Sequence, residues 1–225
     1  RSSDRFAITV FASASSDAKA DNDNAEAIGR YSREIDADVL TGGGDQHAMG
    51  SILVGCGKNE KTDDSKLHLT CVSTRDIVKV ETMYGRLPPG SDYWELHEKI
   101  GPRIDTLLKG DLFVALSGGD GTMQEAFCVL AKKYAGDPEM INKPLIFVGN
   151  SAAIHAQIAS AIGKENLDKL RENPFAMDDM GIYLVPSTYA AQPIIRSYYE
   201  RFNAKRHTAL DAAQNTKIPA SAPIL

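Results

Sequence analysis

A short apolar run, Leu112 to Leu116, feeds directly into Ser117-Gly118-Gly119-Asp120-Gly121-Thr122, and a stretch of helical period follows at once. Strand, glycine turn and helix in immediate succession leave few folds open to the chain. Glycines let backbone N–H groups approach an anion, and the start of a helix adds unpaired donors and a partial positive charge. Ser117, Gly118, Gly119, Asp120, Gly121 and Thr122 are therefore candidate contacts for a phosphate group. A tight turn alone does not need three glycines between strand and helix. Asp120 sits awkwardly there, because a carboxylate beside a phosphate costs energy unless it turns away or meets a cation. Thr122-x-x-Glu125 has the form of a capping box, which gives Glu125 a structural role independent of any ligand.

The same alternation runs through the rest of the chain. Strands are expected at Phe6 to Phe11, Asp38 to Thr41, Leu67 to Val72, Leu112 to Leu116, Leu145 to Val148 and Ile182 to Val185. Between them, Ala25, Ile28, Tyr31 and Ile35 recur at helical spacing, with Asp23 or Asn24 as N-cap. Tyr93, Leu96, Ile100, Ile104, Leu107 and Leu108 mark another helix, interrupted near Gly101-Pro102, where Pro102 opens a new segment. Met123, Ala126, Phe127, Leu130, Ala131 and Tyr134 define one apolar face of the helix after the glycine turn. Further helices are expected from about Ala152 to Ile162 and from Gln192 to Phe202. Alternating strands and helices imply an α/β chain: a single Rossmann-like, doubly wound domain over residues 1–203 with a mostly parallel sheet. Residues 204–225 lack apolar periodicity and read as a loose tail.

In such sheets ligands bind beyond the carboxyl ends of the strands. That rule selects three turns: Ser13 to Ser16, Gly42 to Gly50, and Ser117 to Thr122. The first offers hydroxyl and N–H donors, with Ser13 and Ser15 as candidate contacts. It has no glycine, which counts against a dinucleotide-dependent dehydrogenase. The second carries three consecutive glycines, of which Gly43 and Gly44 are candidate contacts, and places His47 within the turn. Gly55-Cys56-Gly57-Lys58 resembles part of a P-loop but fails, since Ile52 and Asn59 occupy the positions of the first glycine and the terminal Ser or Thr.

Charge and composition exclude several classes. A net charge of −5 argues against gripping nucleic acid or an anionic membrane by bulk attraction. No stretch approaches the ~18 apolar residues of a membrane span, and the first residues lack a secretory signal pattern. The three cysteines show no disulfide or metal spacing, so a reducing cytoplasm is the expectation. The five histidines show no zinc spacing. No metal and no obligatory cofactor are expected, and Lys132-Lys133 reads as a solvated helix face.

Taken together, the turns resemble the LOG (Lonely Guy) family, often labelled lysine decarboxylases, among Rossmann-like nucleotide-binding proteins. The family's Pro-Gly-Gly-x-Gly-Thr-x-x-Glu motif is matched by Ser117 to Glu125, with serine for proline. Its Gly-Gly-Gly-x-x-Gly-Leu-Met-Gly motif is matched by Gly42 to Gly50, with His47 for glycine and Ala48 for leucine. The serine-rich opening, Phe11 to Ser16, is also similar. The resemblance implies hydrolysis of the N-glycosidic bond of nucleoside 5′-monophosphates, releasing base and ribose 5-phosphate. It implies that the glycines and Thr122 hold phosphate, that Glu125 acts near the anomeric carbon, and that the protein is a homodimer. The family's Met-x-x-Arg-Lys arginine falls in register with Pro102, so Arg103 becomes the candidate catalytic arginine and Arg86 a second.

Two other readings carry weight. Gly118-Gly119-Asp120-Gly121-Thr122 is also the pentapeptide of NAD kinases and diacylglycerol-type lipid kinases, and Leu40 to Met49 is similar to the phosphate loop of phosphofructokinases. The chain has no later Gly-Thr-x-Asn-Asp-type segment. A nucleotide or cofactor carrier without turnover is the non-enzymatic alternative: molybdenum-cofactor carriers and nucleotide-sensing domains resemble the same fold with the catalytic pair altered, and loss of the Met-x-x-Arg-Lys pattern favours it.

Overall fold

The sheet is built around β1 (Ala7–Phe11), every residue of which is buried in the computed structural model, which describes residues 5–14, 18–57, 68–81 and 93–215. β1 lies between β2 (Asp38–Thr41) and β5 (Leu112–Leu116); Val10 faces Thr41 on one side and Val114 on the other. Outward from β2 come β3 (Leu69–Thr74) and β4 (Tyr93–His97), and outward from β5 come β6 (Leu145–Val148) and β7 (Ile182–Val185). All six pairings are parallel, in the order β4-β3-β2-β1-β5-β6-β7. The fold is thus a doubly wound, Rossmann-like α/β sheet, as the alternation predicts, and the chain reverses its direction of winding between β1 and β5.

Side chains of successive strand residues point to opposite faces, and two cores follow from that. Ile8 and Val10 join a cluster with α1 (Lys19–Glu34), α2 (His47–Gly55) and α8 (Thr188–Asn215) through Ile28, Ile52 and Ile195. Ala7 and Phe11 join the opposite cluster with α4 (Ile100–Leu107), α5 (Asp120–Tyr134), α6 (Ala152–Ile162) and α7 (Lys164–Glu172) through Leu107, Val129, Ile158 and Leu170. Burial on both faces explains why β5 and β6 read as unbroken apolar runs. Gly55 belongs to this packing and not to a phosphate loop: a Cβ there would lie 2.0 Å from the Glu26 carbonyl oxygen of α1.

Several expectations need correction. Residues 93–97 are the edge strand β4, not helix. Tyr93 and Trp94 favour a pleated surface, and the i, i+3 spacing of Tyr93 and Leu96 coincides with a helical period without forming one. Pro102 lies in the first turn of α4, where its missing N–H costs nothing. α1 starts at Lys19 with Ala18 as N-cap, so Asp23 and Asn24 lie inside the helix. Asn24 instead ties α1 to the start of α8, accepting from the Thr188 N–H at 2.8 Å. The face of α5 is rotated from the predicted one, burying Val129 and leaving Phe127 and Tyr134 exposed. Lys133 is buried, not solvated, and donates to the carbonyls of Met140 and Met180 at 3.0 and 2.9 Å. α2, α3 (Arg75–Glu81) and α7 are additions to the predicted elements. α8 continues to Asn215, into the segment whose lack of periodicity predicted a loose tail; Ala204 to Asp211 are exposed.

Candidate functional site

The three selected turns follow β1, β2 and β5, adjacent strands, so the parallel sheet brings them to one edge at the point where the winding reverses. Residues 15–17 and 82–92 lie outside the described residues, and Ser15 and Arg86 with them. A cavity of about 360 Å³ opens at that edge. Ser13 lines it from the β1 turn, Met49 from α2, and Gly119, Asp120, Gly121 and Thr122 from the start of α5. Arg103 and Ile100 on α4, Ile77 on α3 and Glu125 on α5 complete one wall. Nothing in the sequence marked Ile77 or Ile100 as lining the site, because their place there depends on how α3 and α4 pack.

Arg103 and Glu125 meet. Nη1 of Arg103 lies 2.7 Å from Oε1 of Glu125, and their side chains are only 5 % and 7 % exposed. Nε of Arg103 donates to the Val72 carbonyl of β3 at 3.0 Å. Two charges this deeply buried are tolerable because they neutralise each other and are hydrogen-bonded. Glu125 therefore does not complete a capping box: the N-cap of α5 is Gly119, with no side-chain cap bond. The residue after Pro102, Arg103, thus brings a guanidinium to the cavity wall.

The glycine turn divides into two kinds of position. A Cβ on Gly118 would sit 2.3 Å from Thr122 Oγ1, so this glycine is needed for the turn itself. A Cβ on Gly119 or Gly121 would meet nothing within 4 Å, and neither residue is in the left-handed region. Packing and backbone conformation thus leave both open toward the cavity. Ser117 lies behind the wall and donates its hydroxyl to the buried Asp21 of α1. Gln157 of α6 donates its amide to the Gly118 carbonyl. Asp120 is exposed at the mouth.

Gly43 and Gly44, expected to touch a ligand, are not among the residues lining the cavity. Gly43 has φ of 88°, with the Trp94 ring against it, and the Gly44 N–H points to Met49 Sδ at 3.2 Å. Their loop places Met49 in the cavity wall. His47 adopts φ of 50° at the start of α2. A larger cavity, about 610 Å³, lies beyond the ends of β6 and β7 and is lined by Asn150, His155 and Arg171 among others; none of the expected site residues reaches it. Among the described residues no cluster of three or more His, Cys, Asp or Glu side chains is placed to hold a metal ion. No helix among them is long and apolar enough to cross a membrane.

No protein-family profile and no curated protein matches the sequence. Solved structures do match the fold. The molybdenum cofactor binding protein of Rippkaea orientalis superposes with a TM-score of 0.59 at 16 % identity, over 86 % of this chain and 96 % of its own. The molybdenum cofactor carrier protein of Chlamydomonas reinhardtii gives 0.58 at 15 %, over 88 % and 99 %. Protein TM1055 gives 0.58 at 13 %, over 85 % and 99 %. At these identities the likeness is one of fold.

Proposed function

We propose that the chain is a nucleoside 5′-monophosphate phosphoribohydrolase. The observation that carries this reading is the buried Arg103–Glu125 pair, which faces the same cavity as the open glycines of a helix N-terminus. The N–H groups at the start of α5 suit a 5′-phosphate, with Ser13 and Thr122 as further donors. On this reading the ribose lies toward Glu125. Cleavage builds positive charge on the sugar and negative charge on the departing base. The Glu125 carboxylate stabilises the first and orients the water that adds to the anomeric carbon; the guanidinium stabilises the second as the bonding pair leaves with the nitrogen. A proton from the water ends on the base.

The fold supports binding of a small molecule at this edge equally well without turnover. One observation favours that second reading: Arg103 already bonds the Val72 carbonyl and Glu125, which leaves less of the guanidinium for a leaving base. The molybdenum cofactor named for the structural neighbours is the cargo such a carrier suggests.

The test is chromatography of the purified protein incubated with a panel of 5′-monophosphates. Free base and ribose 5-phosphate, lost in Glu125→Ala, are expected. A Glu125→Ala variant as active as the parent would sink the assignment. Binding without release would move the protein to the carriers, and consumption of ATP with an acceptor to the kinases. The homodimer belongs to the same proposal and is read by light scattering on the same sample.

A further inference from the structure

Gly42 directly follows Thr41, the last residue of β2, and is not in the left-handed region, so its backbone conformation would accept a side chain. Space would not. A Cβ on Gly42 would lie 2.7 Å from Nη2 of Arg103 and 3.3 Å from Met49 Sδ. Such a collision is ordinarily cheap, because the end of an arginine side chain swings aside. Here the end is held: Nε is bonded to the Val72 carbonyl, Nη1 to Glu125, and the residue is 4 % exposed. Each guanidinium nitrogen thus meets a different element, namely β3, α5 and the end of β2.

We infer that Gly42 is a positioning residue: the bare Cα at the end of β2 is the seat that sets the Arg103 guanidinium on the Glu125 carboxylate. The inference rests on the catalytic reading of that pair, and it adds a residue that touches no substrate. Its neighbour Gly43 answers to other constraints, a φ of 88° and the Trp94 ring. The two glycines therefore separate by experiment.

In Gly42→Ala the methyl group displaces the guanidinium by about an ångström while the sheet and both cores stay intact. Misplacing a reacting group by that much costs on the order of 100-fold in rate. We expect roughly a 10- to 100-fold fall in kcat with KM within about twofold. The decisive comparison repeats the change in backgrounds that vacate the seat. Arg103→Ala, and Arg103→Lys, which has no Nη2, should abolish the loss caused by Gly42→Ala: each double variant keeps the kcat of its Arg103 single variant and a thermal midpoint no lower than it, since alanine by itself restricts the unfolded chain. An equal effect of Gly42→Ala with and without the arginine, in rate and midpoint, overturns the inference. If the parent shows no turnover, the hydrolase reading fails by itself. The midpoints then decide: a loss confined to the Arg103 background upholds the seat, and a loss in every background, or in none, overturns it.

Discussion

The ring of Trp94, on the edge strand β4, lies against Gly43 so closely that a Cβ there would come within 2.9 Å of it. Trp94 is the single tryptophan of the chain. The loop it touches leads into α2 and places Met49 in the cavity wall. Ligand in the cavity should therefore be read by Trp94. Titration with ribose 5-phosphate, which does not absorb near tryptophan emission, is expected to give a saturable change in fluorescence. A flat titration under conditions where calorimetry detects binding would show that the loop does not respond. Gly43→Ala should lower stability by about 1–2 kcal/mol from the left-handed backbone alone, with the ring contact adding to it.

Much of this arrangement is legible in the residues, and the exceptions have physical causes. The strands at Leu112–Leu116, Leu145–Val148 and Ile182–Val185 are apolar runs bounded by polar or turn residues, and the structure has them at those positions. The edge strand at 93–97 is not such a run, since an edge needs less burial, and its polar Glu95 and His97 hid it. Lys133 reads as solvent-facing because its type almost always is; only the fold reveals three carbonyls converging on it. Glu125 is ambiguous between cap and catalyst at the level of spacing. Its partner is 22 positions earlier in the chain, and nothing in spacing alone pairs them. The Asp21 that receives the Ser117 hydroxyl gave no signal at all, because its role depends on α1 beginning at Lys19.

Ser117 stands where the resembled motif has proline, and its hydroxyl is committed to Asp21 across the β1–β5 junction. Both residues are buried. Ser117→Ala removes a donor from a buried carboxylate, which costs about 1–3 kcal/mol. The loss should fall sharply when Asp21 is also replaced by alanine, since no carboxylate is then left to satisfy. Denaturant midpoints of the four proteins measure this. Additive losses would mean that the two side chains act independently.

Burial lowers the Lys133 ammonium from 10.5 to about 8. The unfolded chain therefore binds more protons than the folded one between those values, and this residue makes stability rise as pH climbs from about 8 toward 10.5. Below pH 8 the group is protonated in both states and contributes no slope. Lys133→Met should lose that alkaline rise while leaving the Met140, Ile141 and Met180 carbonyls without their donor, a cost of about 1–3 kcal/mol at neutral pH. Parallel pH–stability profiles of the two proteins between pH 7 and about 10 would refute the assignment.

Gly121 offers the cleanest separation of binding from folding. It lies in the first turn of α5, outside the left-handed region, with nothing within 4 Å of a built Cβ. Alanine there should fold at least as well, gaining about 0.5–1 kcal/mol because it restricts the unfolded chain and suits a helix. The same methyl group would stand in the cavity, between the first N–H groups of the helix and an approaching phosphate. Gly121→Ala is expected to raise the thermal midpoint while weakening binding of ribose 5-phosphate roughly tenfold or more, a difference of about 1.4 kcal/mol. A more stable variant that binds as well as the parent would place the phosphate elsewhere on the sheet edge. The cavity beyond β6 and β7, with His155 and Arg171 in its lining, would then be the place to look.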